Sequence, residues 1–108
     1  AMNEKVVSWG VIGASTIARE WMVNSIRKHP LGRVKAIVSS ELSRAQAFSA
    51  QMGIPDAYDS IVPMLSDREI DAVYISTKND QHLSQALAAI EAGKHVLCEK
   101  PLALEPKD

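Results

Sequence analysis

Three short groups of residues carry side chains and backbone suited to joint chemistry. The first is the run V-V-S-W-G-V-I-G-A-S-T-I-A over residues 6–18, an apolar segment that ends in small residues and then turns helical. Such a turn leaves backbone N–H groups open at a helix N-terminus, and a pyrophosphate is an anion that fits there. In the Gly-x-Gly-x-x-Gly turn of dinucleotide-binding domains, the first glycine makes the tight bend and the second lets the pyrophosphate approach. The third lets helix and strand pack. Those places fall here on Gly13, Ser15 and Ala18, so only the first is glycine. Ala18 can serve in the third. Ser15 puts a hydroxyl where the phosphates approach, so it either donates to a phosphate or obstructs the site. An ordinary strand-to-helix turn capped by Ser15 or Thr16 would use the same residues. The candidate phosphate turn is Gly13, Ala14, Ser15, Thr16 and Ile17.

The second group is Ser39, Ser40 and Arg44, at and just beyond the end of the next apolar segment. A domain that selects NAD usually has Asp or Glu there for the ribose 2′-hydroxyl, whereas one that selects NADP avoids that charge and supplies a cation. Serine hydroxyls can donate to a 2′-phosphate, and Arg44 can pair with it or stack on adenine. NADP is favoured over NAD, although Glu41 stands close enough to keep NAD open. The plainer alternative is that Ser39 and Ser40 cap a helix and Arg44 is solvated.

The third group lies later in the chain. Ser76, Thr77, Lys78, Asn79 and His82 follow an apolar strand, and Cys98-Glu99-Lys100-Pro101 follows the last one. A lysine at such a strand end can hold a substrate hydroxyl or carbonyl through a charge-assisted hydrogen bond, polarising the atom that exchanges a proton beside a hydride transfer. Proline after it fixes the chain and could form a cis peptide. For an arbitrary Lys-Pro the better reading is a surface lysine before a turn. Asn79 is most simply a helix cap and His82 a structural hydrogen-bonder. Cys98 reads as small core packing, and His29 and His95 have no second ligand at metal spacing, so no metal site is expected.

These groups need elements to hold them. Helical spacing predicts a helix over 16–28, with Ala18, Met22, Ser25 and Ile26 on the packed face and Arg19, Glu20, Asn24 and Arg27 pointing away. A short β-branched strand over 34–38 is interrupted only by Lys35. A helix follows over 43–52, stopped by Gly53. Residues 54–58 hold a brief strand, Asp59 or Ser60 caps a short helix over 61–65, and residues 71–76 form a strand apolar between its ends. Asn79-Asp80 can cap a helix carrying Leu83, Ala86, Leu87 and Ile90, which stops at Ala92-Gly93 before a final strand over 95–98. This alternation predicts an α/β fold: a three-layer, doubly wound parallel sheet with its ligand at the carboxyl ends of the strands, where the strand order reverses.

Composition narrows the functions. At 108 residues the chain is one domain, and 12 basic against 13 acidic side chains give no field for nucleic-acid binding. No apolar stretch approaches the roughly 20 residues that span a bilayer, and one cysteine cannot form an internal disulfide, so a cytoplasmic protein is expected. Ala1 ahead of Met2 reads as an expression remnant, which leaves residues 2–108 as the domain.

With these residues in place, the segments G-V-I-G-A-S-T-I-A, D-A-V-Y-I-S-T, N-D-Q-H, E-A-G-K-H-V-L-C-E-K-P and L-A-L, in this order and spacing, resemble the N-terminal domain of the glucose-fructose oxidoreductase and inositol 2-dehydrogenase family. The resemblance covers residues 6–108, and A-G-K-H-V-L-C-E-K-P is its most specific part. It implies an NAD(P)-binding Rossmann fold and hydride transfer between a nicotinamide and a sugar or polyol. It puts Ser15, Thr16 and Ile17 at the pyrophosphate, Ser39 and Arg44 at the 2′-phosphate, Thr77, Asn79 and Glu99 along the nicotinamide, and Lys100 as the catalytic lysine. Close relatives tolerate serine in the place of Ser15; Lys78 stands where the family often has proline. Family members continue into a second α+β domain that supplies the sugar pocket and a histidine. That domain is absent from these residues, so they are expected to be inactive alone and to self-associate through an exposed sheet edge. A non-enzymatic dinucleotide-sensing module and a domain for another nucleotide-type ligand are the alternatives. Lys100-Pro101 argues against both.

Overall fold

In the computed structural model, residues 6–13, 15–77 and 79–98 are described, with backbone alone for Asn79, Asp80 and His82. β1 (Val7–Gly13) leads into α1 (Thr16–Arg27), β2 (Gly32–Val38), α2 (Leu42–Met52) and β3 (Asp56–Tyr58). α3 (Ile61–Leu65), β4 (Ala72–Ser76), α4 (Asn79–Glu91) and β5 (His95–Cys98) complete the order. The five strands pair in parallel as β3-β2-β1-β4-β5, which makes this a Rossmann-like α/β fold. β1 is the central strand, and the strand order reverses between it and β4.

Strands covered on both faces send alternate side chains into two separate cores. Val11 joins Met22, Val23 and Ile26 of α1 and Ala45 and Phe48 of α2 on one face, while its neighbour Ile12 joins Met64 of α3 and Ala89 of α4 on the other. β2 serves both faces through an irregularity: Trp9 pairs with Val34 but Gly10 with Ala36, so Lys35 is an extra residue opposite the β1 strand. The bulge lets Val34 enter the first core and Ala36 the second. It also sends Lys35 to Asp56 and Asp67, at 2.6 and 2.5 Å.

Several element ends follow from named residues. Ser15 caps α1 and Ser60 caps α3, each side chain accepting a backbone N–H. Gly53 ends α2 at φ +69°, a left-handed conformation that side-chain-bearing residues rarely adopt.

Four sequence expectations need correction. α1 packs through Arg19, Met22, Val23 and Ile26, so Arg19 lies inside instead of pointing away. Its aliphatic stem packs as an apolar chain does, which a rule that sends charge outward misses. Ser39 and Ser40 do not cap α2: Glu41 holds the cap position, without a side-chain cap bond. α4 opens at Asn79 itself, which makes Asn79 the first helical residue and not the residue before it. Leu83, Leu87 and Ile90 are exposed, and of the expected residues only Ala86 packs on the core, beside the fully buried Ala89. No described helix is long and apolar enough to cross a membrane.

Candidate functional site

The ends of β1, β2 and β4 open into one cleft of about 570 Å³, at the point where the strand order reverses. It gathers Gly13, Ser15 and Thr16 from the first turn, Ser39, Ser40 and Arg44 from the second, and Thr77 after β4. These segments are far apart in sequence and meet because their strands are neighbours. Ile17 and Ser76 are not brought into the lining: Ile17 is 80% exposed, and Ser76 ends β4 in register with Gly13. Ala14, Glu99 and Lys100 lie outside the described residues, as do Lys78, Pro101 and the side chains of Asn79 and His82.

Ser15 takes the capping role that its sequence left open. Its Oγ accepts the Ala18 N–H at 3.1 Å, which caps the helix, and its own hydroxyl proton stays free to be donated. Thr16 and Ile17 head α1, where N–H groups have no carbonyl one turn back inside the helix. The turn therefore offers backbone and hydroxyl donors at the positive end of a helix.

The β2 side is also rich in donors. Ser39 is buried, its N–H donating to the Tyr58 carbonyl at 3.1 Å. Arg44, one turn into α2, is mostly exposed and its Nε lies 3.3 Å from Glu41 Oε1. Glu41 does not line the cleft, whereas Arg44 does. On the β4 side the Thr77 hydroxyl donates to Gln85 Oε1 at 2.7 Å.

Sequence reasoning missed Arg19, Asp59, Ser60, Gln81 and Gln85, which also line the cleft. Gln81 and Gln85 sit four residues apart on α4, a spacing that sets them on one helix face and was available as a signal. Asp59 and Ser60 had none beyond following β3. Arg19 Nη1 donates to the Gly13 carbonyl and Nη2 to Thr16 Oγ1, both at 3.2 Å, and its guanidinium lies 5.6 Å from the Phe48 ring centre. Burial pulls its pKa below the usual arginine value, and the charge of Arg44 adds to the effect. A cleft with an open helix N-terminus, serine hydroxyls and two arginines suits a ligand with more than one phosphate. Among the described residues no three His, Cys, Asp or Glu side chains could hold a metal ion.

Residues 7–108 match a family described as an oxidoreductase family with an NAD-binding Rossmann fold. The chain is 49% identical over 100 residues to the 1,5-anhydro-D-fructose reductase of Ensifer adhaerens, covering 93% of this chain and 30% of that protein. It is 37% identical to D-xylose 1-dehydrogenase (NADP(+)) 2 of Haloferax volcanii, over 87% of this chain and 29% of the relative. Among solved structures, KijD10, a 3-ketoreductase from Actinomadura kijaniata in complex with TDP-benzene and NADP, superposes with a TM-score of 0.79 at 34% identity. That match covers 89% of this chain and 30% of the other. The chain thus spans about 30% of the length of these relatives.

Proposed function

The chain belongs to the Gfo/Idh/MocA oxidoreductase family, with its NAD-binding Rossmann fold, and from that membership we propose that it is the NADP(H)-binding domain of a reductase or dehydrogenase acting on a sugar or polyol. The observation that carries the cofactor reading is the end of β2. Where a carboxylate would bind a ribose 2′-hydroxyl stands the buried Ser39, and Arg44 lines the same cleft. The haloarchaeal relative is named for NADP(+) and the 3-ketoreductase holds NADP, which supports the same choice.

In this reading the Ser15 and Thr16 hydroxyls and the α1 N-terminus bind the pyrophosphate, with the backbone of Ala14 and Ile17 in the same turn. Ser39, Ser40 and Arg44 bind the adenosine 2′-phosphate. Ser76, Thr77, Asn79, His82 and Glu99 border the nicotinamide. The bound cofactor supplies the hydride. Lys100 holds the reacting sugar oxygen by a charge-assisted hydrogen bond and favours its gain or loss of a proton. Two of the relatives above carry sugar-derived names, which supports this substrate class. The sugar pocket belongs to a second domain, so these 108 residues bind cofactor without turnover. The protein works in the cytoplasm.

Calorimetric titration tests the assignment. NADPH is expected to bind more tightly than NADH. No heat from NADPH at millimolar concentration, or NADH binding at least as tightly, overturns it.

A further inference from the structure

Arg19 is an unusual residue to bury. Its exposure is 4%, and its buried Nε has no hydrogen-bond partner. A guanidinium carries five N–H donors, and two of Arg19's make hydrogen bonds, to the Gly13 carbonyl and Thr16 Oγ1. Among the described residues no carboxylate pairs with it. A buried cation without a counter-ion is costly, and arginine cannot escape the cost by losing its proton. The Phe48 ring offsets part of it. The second arginine of the cleft adds to it, because Arg44 is near enough to disfavour Arg19's charge.

Two cations that repel each other across one cleft form a site for an anion. The position of Arg19 says which anion. Its guanidinium is tied to the first turn through the Gly13 carbonyl and Thr16 Oγ1 and at the same time lies over Phe48 of α2, one turn beyond Arg44, so it bridges the first turn and the helix that carries Arg44. Arg44, Ser39 and Ser40 line the same cleft as Arg19.

We infer that Arg19 is the second cation of the 2′-phosphate subsite, so that the phosphomonoester dianion is received by Arg19 and Arg44 together, with the Ser39 hydroxyl beside them. The inference rests on the NADP reading and extends it to a residue inside the fold. Arg44 is free to be recruited because its present partner, Glu41, is an exposed surface pair. Arg19 is already fixed by the first turn. Binding then relieves a repulsion that exists before the ligand arrives, and a 2′-hydroxyl cannot relieve it.

The test uses the purified protein with Arg19→Met, which keeps length and apolar packing, and Arg19→Lys, which keeps charge and loses the planar fork. Each is titrated with NADPH, NADH, 2′,5′-ADP and 5′-AMP. Arg19→Met is expected to weaken NADPH and 2′,5′-ADP by about tenfold or more, the size of one lost charged hydrogen bond, and NADH and 5′-AMP by less than about twofold. Without ligand it should melt no lower than the parent, since an uncompensated buried charge has gone. Arg19→Lys, which covers the case in which the methionine variant does not fold, should lose part of the NADPH preference. Equal loss for NADPH and NADH in both variants overturns the inference, because Arg19 would then act by holding the turn. An undiminished preference for NADPH in both variants also overturns it and leaves the cofactor reading standing. A parent protein that prefers NADH overturns both.

Discussion

Arg19 occupies the space into which a side chain on Gly13 would project: a Cβ there would lie 2.4 Å from Arg19 Cγ and 2.8 Å from Met22 Cε. The glycine of the first turn is thus required by packing beneath it as well as by the bend itself. Met22 can swing its terminal methyl aside, but Arg19 Cγ is the buried stem of a side chain tied at its far end to the Gly13 carbonyl. Gly13→Ala should therefore cost roughly 1–3 kcal/mol, the range of an overpacked core, in urea denaturation. Adding Arg19→Ala should recover part of that loss, which identifies the two residues as coupled. Additive effects in the double variant would contradict the steric account.

Lys35 sits at the middle of β2, and its cluster predicts a pH dependence. The hydrogen bonds that Lys35 donates to Asp56 and Asp67 raise its pKa above its ordinary 10.5, and the one accepted by Asp67 lowers that carboxyl below 3.8. The raised lysine contributes stability that is complete below 10.5 and is lost as pH rises through its folded-state value. The depressed carboxylate contributes stability present above 3.8 and lost as pH falls through its own. Stability from the cluster should accordingly be flat between about pH 5 and 9 and fall on both sides. Lys35→Met leaves two carboxylates facing each other and should cost about 2 kcal/mol at pH 7. In that variant, lowering the pH from 7 to 4 should narrow the gap to the parent. A gap that stays constant down to pH 4 in melting curves would rule out the charge account.

How much of this was legible in the sequence depends on where the deciding information resides. The β1 turn, the alternation of strands and helices and the meeting of Ser39, Arg44 and Thr77 at one edge were readable, because apolar runs, Gly53 and the serine caps act locally. The burial of Arg19 was not, since it depends on Phe48, which reaches it only after α1 and α2 pack on the same face. The bulge at Lys35 was hidden for a similar reason: a register shift belongs to the β1–β2 pair and to neither strand alone. On α4 the periodic leucines signalled a helix, but its packed side was chosen by the small Ala89, which lets the helix approach the sheet.

Arg44 separates binding from stability. Its ion pair with Glu41 is exposed on both sides, at 64% and 59%, so losing it should change stability by less than about 0.5 kcal/mol. Arg44→Ala should nevertheless weaken NADPH by about tenfold while leaving NADH within about twofold, since the lost partner serves only a 2′-phosphate. Raising the salt concentration should erode the parent's preference for NADPH in the same direction, by screening an exposed cation. Equal weakening of both cofactors in calorimetry would show that Arg44 does not read the 2′ position.

Exposed apolar residues on α4 and on β5 carry the last prediction. Leu83, Leu87 and Ile90 recur at four- and three-residue spacing along α4 at 66%, 52% and 58% exposure, and Leu97 on β5 is 50% exposed beside an apolar cleft of about 400 Å³ that also contains Trp9 and Tyr74. Among the described residues β5 pairs with β4 alone and stands last in the sheet order. Edge strands joined to apolar patches favour pairing between copies. These residues should therefore self-associate, with light scattering showing a mass that rises with concentration. Leu97→Lys places a charge on the edge and should shift the equilibrium toward monomer. It should leave NADPH binding intact, because Leu97 lies outside the cleft that holds Ser39 and Arg44. A parent protein that stays monomeric at high concentration would show that these exposed residues do not drive association.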